Sequence, residues 1–411
     1  MLIKRFAAHP NLPFLVIALT ITFIALIHLR RQHELRALSI LSYRPVIVQG
    51  DSAPDTTPSS NEIQKQEKEV SMLDFVRPAE YPGSKTIITG HTKNEDVGWI
   101  REGFTEPEYR LRIYSVDDPE SGDLHTPQNK GHEAMPYLTY ILTHYHNLSD
   151  INIFLHPHRY AWHTWDSLIF DTVELLNHFN LDRVERLGYA NLRCRWNPGC
   201  PAHIDTQSLD AGDDMPEQAI FANAFRDLFG DDVAMPHMMG GACCSQFAVT
   251  RETIQSVPVE RYQIMHDWIL NTELNDGLSG RVFESLWQFL FIGEAVMCPR
   301  EHACYCDSYG LCFGGEAQFA QFEWTRDRKN EIEGKAQRLR EKLKEEEEKK
   351  EKITTPEEQS DHMKKIGLLQ ERISTTTLEA QRLKTKYDTI IQKAYENGKD
   401  PDKRAKELHR K

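Results

Sequence analysis

Between residues 156 and 166 stand His156, His158, Arg159, Trp162, His163 and Asp166, a dense set of groups able to bind ligands or move protons. Imidazoles change charge near neutral pH and ligate metals. His156 and His158 are two apart, which on a strand points both rings to one face and permits joint ligation of a divalent cation, with Asp166 as a further donor. Pro157 between them disturbs such a strand, and histidines in a polar loop need no ligand.

Other residues could serve a site. Asn94 and Asp96 stand in the polar turn after a β-branched run, where they face a ligand or simply cap the next helix. RLRIYSVDD ends on paired aspartates, and Asp118 is placed to hydrogen-bond a ribose or to close a solvated turn. Arg251, at a strand-to-helix junction, suits a diphosphate or a nearby carboxylate such as Glu252. Glu284 and Trp287 are spaced i, i+3; a carboxylate beside an indole in a partly desolvated pocket rises toward the pKa of a useful general base, whereas an exposed glutamate does nothing. Gly240 and Gly241 allow a backbone to approach a ligand, or a tight turn.

The elements that must position these groups follow from periodicity. KTIITGHT from Lys85 reads as a strand, NEDVGWI as a helix start, and Arg110 to Asp118 as a second strand. Residues 133–146 carry apolar side chains at helical spacing, and INIFL at 151–155 is a wholly apolar, buried strand. The order β, α, β, α, β is that of a nucleotide-binding α/β sheet flanked by helices. Downstream, helices are expected over Ala219 to Phe229 and from Ser279, with a short strand at Gln246 to Val249.

The ends differ from this middle. The chain has 411 residues with a formal charge of -13, which argues against a nucleic-acid binder. Leu12 to Leu29 is an uncharged apolar run, flanked by Lys4, Arg5, Arg30 and Arg31, and reads as a transmembrane signal-anchor over residues 12–29 behind a short cytoplasmic tail, 1–11. Residues 30–74 are a polar stem. All eight cysteines fall between Cys194 and Cys312, as expected of disulfides in an oxidising lumen. Zinc ligation by CPREHACYCDSYGLC is the alternative, without the usual C-x2-C pairs. The globular domain is expected at 75–322, followed by a charged helical tail at 323–411. The tail's short seam (Leu383, Tyr387, Ile390, Ala394) suits a partner helix or mere solvation, and removing 325–411 is expected to leave ligand binding intact.

The blocks TKNEDVGWI, IYSVDD, residues 129–163, GGACCSQFAVTRETI, SGRVFESLWQFLF and CPREHACYCDSYGLC, in that order, resemble the largely fungal domain of unknown function 3431 family over roughly Thr86 to Phe313. That family in turn looks like GT-A glycosyltransferases, in which the opening strand and helix cradle a sugar nucleotide and a later segment presents the acceptor and a catalytic carboxylate. The likeness implies a GT-A-like fold; the anchor and the cysteines make the chain a type II membrane protein, expected in the Golgi or endoplasmic reticulum with its domain in the lumen. The likeness also implies transfer of a sugar from a sugar nucleotide to a hydroxyl of a glycan or glycoprotein. Glu284 would be the base; Asp96 and Asp118 would hold the nucleotide, and His156, His158 and His163 would line the donor pocket. The Asp-x-Asp metal motif of many such enzymes is missing from the globular part, since Asp400-Pro401-Asp402 lies in the tail. Either the domain is metal-independent or the histidines and Asp166 take over. A non-catalytic, carbohydrate-binding or structural lumenal protein is the competing reading.

Overall fold

The computed structural model describes residues 82–105, 107, 109–161, 163, 171–210, 215–349 and 354–409. The expected anchor and stem, and Trp162 and Asp166, lie outside them. Among the described residues no helix is long and apolar enough to cross a membrane.

The chain is a mixed α/β protein built on a six-stranded sheet in the order β3-β2-β1-β4-β8-β5. Strands β1 (Lys85–His91), β2 (Tyr109–Ser115), β3 (Leu124–His125) and β4 (Ile151–Leu155) are mutually parallel. Strand β8 (Phe247–Thr250) runs antiparallel between β4 and β5 (Tyr189–Asn191). A small second sheet orders β6 (Ile204–Asp205), β7 (Met238–Gly241) and β9 (Val296–Met297). Gly240 packs closely on neighbouring chain, because a Cβ there would meet the backbone of Gly199, Ala202 and His203.

Burial on both faces explains why β1 and β4 read as apolar runs. With a side-chain period of two, Ile88, Phe154, Phe247 and Val249 go to one core and Ile87, Ile153, Leu155 and Ala248 to the other. The first core is closed by α2 (Ala134–His144), α5 (Gln218–Phe229), α6 (Arg251–Ser256), α7 (Val259–Asn271), α8 (Asp276–Glu284) and α9 (Trp287–Ile292). The second is closed by α1 (Gly98–Gly103), α3 (Thr172–His178), α4 (Leu181–Leu187) and α10 (Glu301–Tyr309), together with α11 (Glu316–Lys349) and α12 (Pro356–Lys399). Each side chain such as Phe154, fully buried, contributes about 1.5–3 kcal/mol relative to exposure.

Two expectations about helices are corrected. The helix read from Ser279 is two helices: the chain breaks after Glu284, at Ser285 and Leu286, and resumes at Trp287. The charged tail is also not separate from the core. The boundary expected at 322/323 falls inside α11, and α12 returns to the domain, where Ile391, Ala394 and Tyr395 join the second core. The Cys312 amide donates to the Ala394 carbonyl at 2.9 Å, and Tyr387 lies 5.5 Å from Phe322, ring to ring. The last helix, α13 (Pro401–Leu408), carries a buried Glu407. Its carboxylate accepts bonds from His302 Nδ1 and from the Gly314 and Gly315 amides.

All eight cysteines are paired, as Cys194–Cys304, Cys200–Cys298, Cys243–Cys244 and Cys306–Cys312. The zinc alternative for the last block is thereby set aside, since its four cysteines are committed to disulfides.

Candidate functional site

From β1 the chain moves to β2 on one side and returns to β4 on the other, so the sheet order reverses between β1 and β4. Turns leaving adjacent carboxyl ends at such a reversal diverge and leave a crevice where open α/β sheets take their ligands. Thr89 pairs with Leu155, so the turn at 92–96 and the segment 156–158 leave the sheet side by side.

Glu95 and His158 join these two segments. Glu95 Oε1 lies 3.0 Å from His158 Nε2, and Oε2 accepts the Thr92 amide (2.7 Å) and hydroxyl (2.9 Å). Burial pushes the Glu95 carboxyl up, but the bonds from His158 and Thr92 outweigh it and hold the group at about 2. Glu95, rather than its neighbours Asn94 and Asp96 expected as site residues, makes the link to His158. Its signal is the Thr-x-x-Glu spacing, across which the Glu95 carboxylate reaches back to the Thr92 amide and hydroxyl.

Three imidazoles meet at the same edge. The His156 and His163 ring centroids are 4.4 Å apart, those of His158 and His163 5.6 Å. His156 Nε2 lies 2.7 Å from the Cys244 carbonyl, which only accepts, so Nε2 carries the ring proton. The His163 carbonyl accepts from Gln246 Nε2 and from Arg193. Burial, with His156, His158 and Arg193 adding to it, drops the His163 imidazole to about 3, so that ring is neutral. Trp99 Nε1 donates to the Pro157 carbonyl at 2.8 Å and fixes the segment between His156 and His158. Both histidines stand beyond the strand, which ends at Leu155; a turn brings their side chains together, not a shared strand face. On the far side of the crevice, His91 Nε2 meets Asp123 at 3.0 Å, and Lys93 N donates to Asp117.

Glu284 ends α8 in a half-buried position. Burial is the main reason its carboxyl is pushed up to about 8; Glu133 and Glu217 add to the shift, and Arg281 opposes it. Arg281 is partly diverted, since its Nη1 lies 3.3 Å from Glu217. Glu133 precedes α2, whose Pro136 lies where a Cβ on Gly90 would stand, at the carboxyl end of β1. Glu284 thus feels the charge of Glu133, which precedes the helix packed on the carboxyl end of β1.

Of the remaining candidates, Asn94 and Asp96 lie in the turn 92–96 beside the crevice, while Trp287 and Arg251 are held away from it. Trp287 is a core residue, 1 % exposed, stacked on Phe291 with its indole N–H on Ser245 Oγ at 3.2 Å. The helix break turns it away from Glu284. Asp96 is exposed and accepts the Gly98 amide, and Asn94 is exposed beside it. Asp118 Oδ1 accepts the Glu120 amide and shapes its own turn. Arg251 sits at the opposite edge, after the strand end where Thr250 pairs with Ile151, and bonds Asp150 at 2.7 Å. It is an ion pair of the amino end of β4 and does not reach the crevice.

The profile of a family described as protein of unknown function (DUF3431) matches residues 87–307. No curated protein and no solved structure matches the chain.

Proposed function

The chain belongs to the DUF3431 family of proteins of unknown function, and we propose that it is a GT-A-like glycosyltransferase passing a sugar from a sugar nucleotide to a hydroxyl of a glycan or glycoprotein. The observation that carries this reading is the reversal of strand order between β1 and β4, with the polar turns 92–96 and 156–158 meeting at its carboxyl edge. An open α/β sheet offers that crevice to a nucleotide. The likeness to GT-A enzymes supplies the reaction class, and the four disulfides fit an oxidising lumen behind an anchor at 12–29.

In this reading the acceptor oxygen bonds to the anomeric carbon as the bond to the nucleotide phosphate breaks, and the hydroxyl proton passes to Glu284. A carboxyl at about 8 is a stronger base than an ordinary one, although only about a tenth is ionised at pH 7. A positioned base contributes about 10²- to 10⁴-fold. His158 and the turn at 92–96 bind the nucleotide.

The test begins with thermal melts of the full chain in a panel of nucleoside diphosphates, with and without manganese. One base is expected to stabilise the protein, by about 2.7 kcal/mol at a hundredfold excess over Kd. Glu284→Gln should then keep that shift and lose turnover by at least about 10²-fold. A panel with no stabilising nucleotide favours the non-catalytic, carbohydrate-binding alternative. Wild-type turnover in Glu284→Gln removes that residue from the mechanism.

A further inference from the structure

We propose that His156, His158 and His163 form a binding site for a borderline divalent metal, Zn²⁺ foremost, with Glu95 and the Cys244 carbonyl as the groups that orient two of its ligands. The site stands independently of any sugar transfer. One candidate ligand nitrogen from each of the three rings lies within 4.8 Å of the other two. Around zinc, with Zn–N bonds of about 2.0–2.1 Å, tetrahedral ligands sit about 3.4 Å apart. Small shifts of the three side chains, with His158 the most exposed, would supply that modest closure while Nε2 of His158 stays on Glu95.

The proton positions favour ligation. His156 Nε2 is committed to the Cys244 carbonyl and His158 Nε2 to the Glu95 carboxylate, which leaves Nδ1 as the lone-pair nitrogen of each ring. Histidines that ligate metals commonly hold their other N–H on a carbonyl or carboxylate in this way, and those partners raise the ligand's basicity. Three imidazoles without a carboxylate in the inner set suit zinc and its neighbours; magnesium and calcium prefer oxygen. Three protein ligands also leave a fourth position for water or a phosphate oxygen.

The test uses the full chain in detergent, without reducing agent, titrated with Zn²⁺ by calorimetry and with Co²⁺ by visible absorption. A single equivalent of zinc should bind, and cobalt should give the intense absorption of a four-coordinate centre, neither displaced by excess Mg²⁺. Glu95→Gln should weaken zinc about 10- to 100-fold. His158→Ala, which removes an exposed side chain and so spares the fold, should weaken it further, and so should His163→Ala. A folded wild-type protein that takes up no zinc overturns the proposal. So does unchanged zinc affinity in both His158→Ala and His163→Ala, which would locate the ion elsewhere.

Discussion

His302 Nδ1 lies 3.0 Å from Glu407 Oε1, joining the first turn of α10 to the last helix of the chain, with both side chains almost wholly buried. Glu407 also satisfies two glycine amides that no water reaches easily. Glu407→Ala leaves three donors without an acceptor and should cost about 3–5 kcal/mol in urea denaturation. Truncation before residue 400 should cost at least as much. A loss under about 1 kcal/mol for Glu407→Ala would show that the terminal helix does not seal the domain.

Glu284 makes stability depend on pH in an unusual direction. Its folded pKa, about 8, lies above the ordinary 4.5 of a glutamate, so the folded state holds the extra proton across that window. Its contribution is complete below about 4.5 and is lost as pH rises through 8, by up to about 1.4 kcal/mol per unit. Glu284→Gln should therefore melt progressively higher than wild type as pH rises from 5 to 8. Parallel melting curves for the two proteins over that range would contradict the burial of this carboxyl.

Cys200–Cys298 and Cys194–Cys304 close long stretches, with sequence separations of 98 and 110. Loops of that length gain most from cross-linking, so replacing Cys200 and Cys298 together by serine should destabilise by about 2–5 kcal/mol. Peptide mapping without reduction should find the four pairs intact, and free thiols in the folded protein would refute them.

Arg251 separates two views of the site. Because it pairs with Asp150 at the amino end of β4, Arg251→Gln should leave nucleotide binding unchanged and cost no more than about 1 kcal/mol. A large loss of nucleotide affinity in a stable Arg251→Gln protein would place the ligand at the wrong edge of the sheet.

What could be read in advance follows from how local the cause is. INIFL and the helix before it were legible because both are set by side-chain periodicity, and they appear as β4 and α2 within a residue or two. The meeting of His156, His158 and His163 was visible only as a cluster, because the turn that gathers them depends on Trp99 and Cys244 from distant segments. The break after Glu284 left no mark: apolar spacing continues across Ser285, so Trp287 looked like a neighbour of Glu284 and is a core residue instead. In the tail, Ile391, Ala394 and Tyr395 are few among many charges, and the part of α12 that docks on the domain carries too short a pattern to announce it.

The docking of Ile391, Ala394 and Tyr395 also sets the order of events during synthesis. Phe313, Phe319 and Phe322 leave the ribosome well before the turns of α12 that cover this core. At about 5–20 residues per second, the aromatic face waits on the order of ten seconds for its cover. A nascent chain in that interval presents the kind of surface that chaperones hold, and a stop codon within α12 would release an aggregation-prone chain, not a shorter working domain.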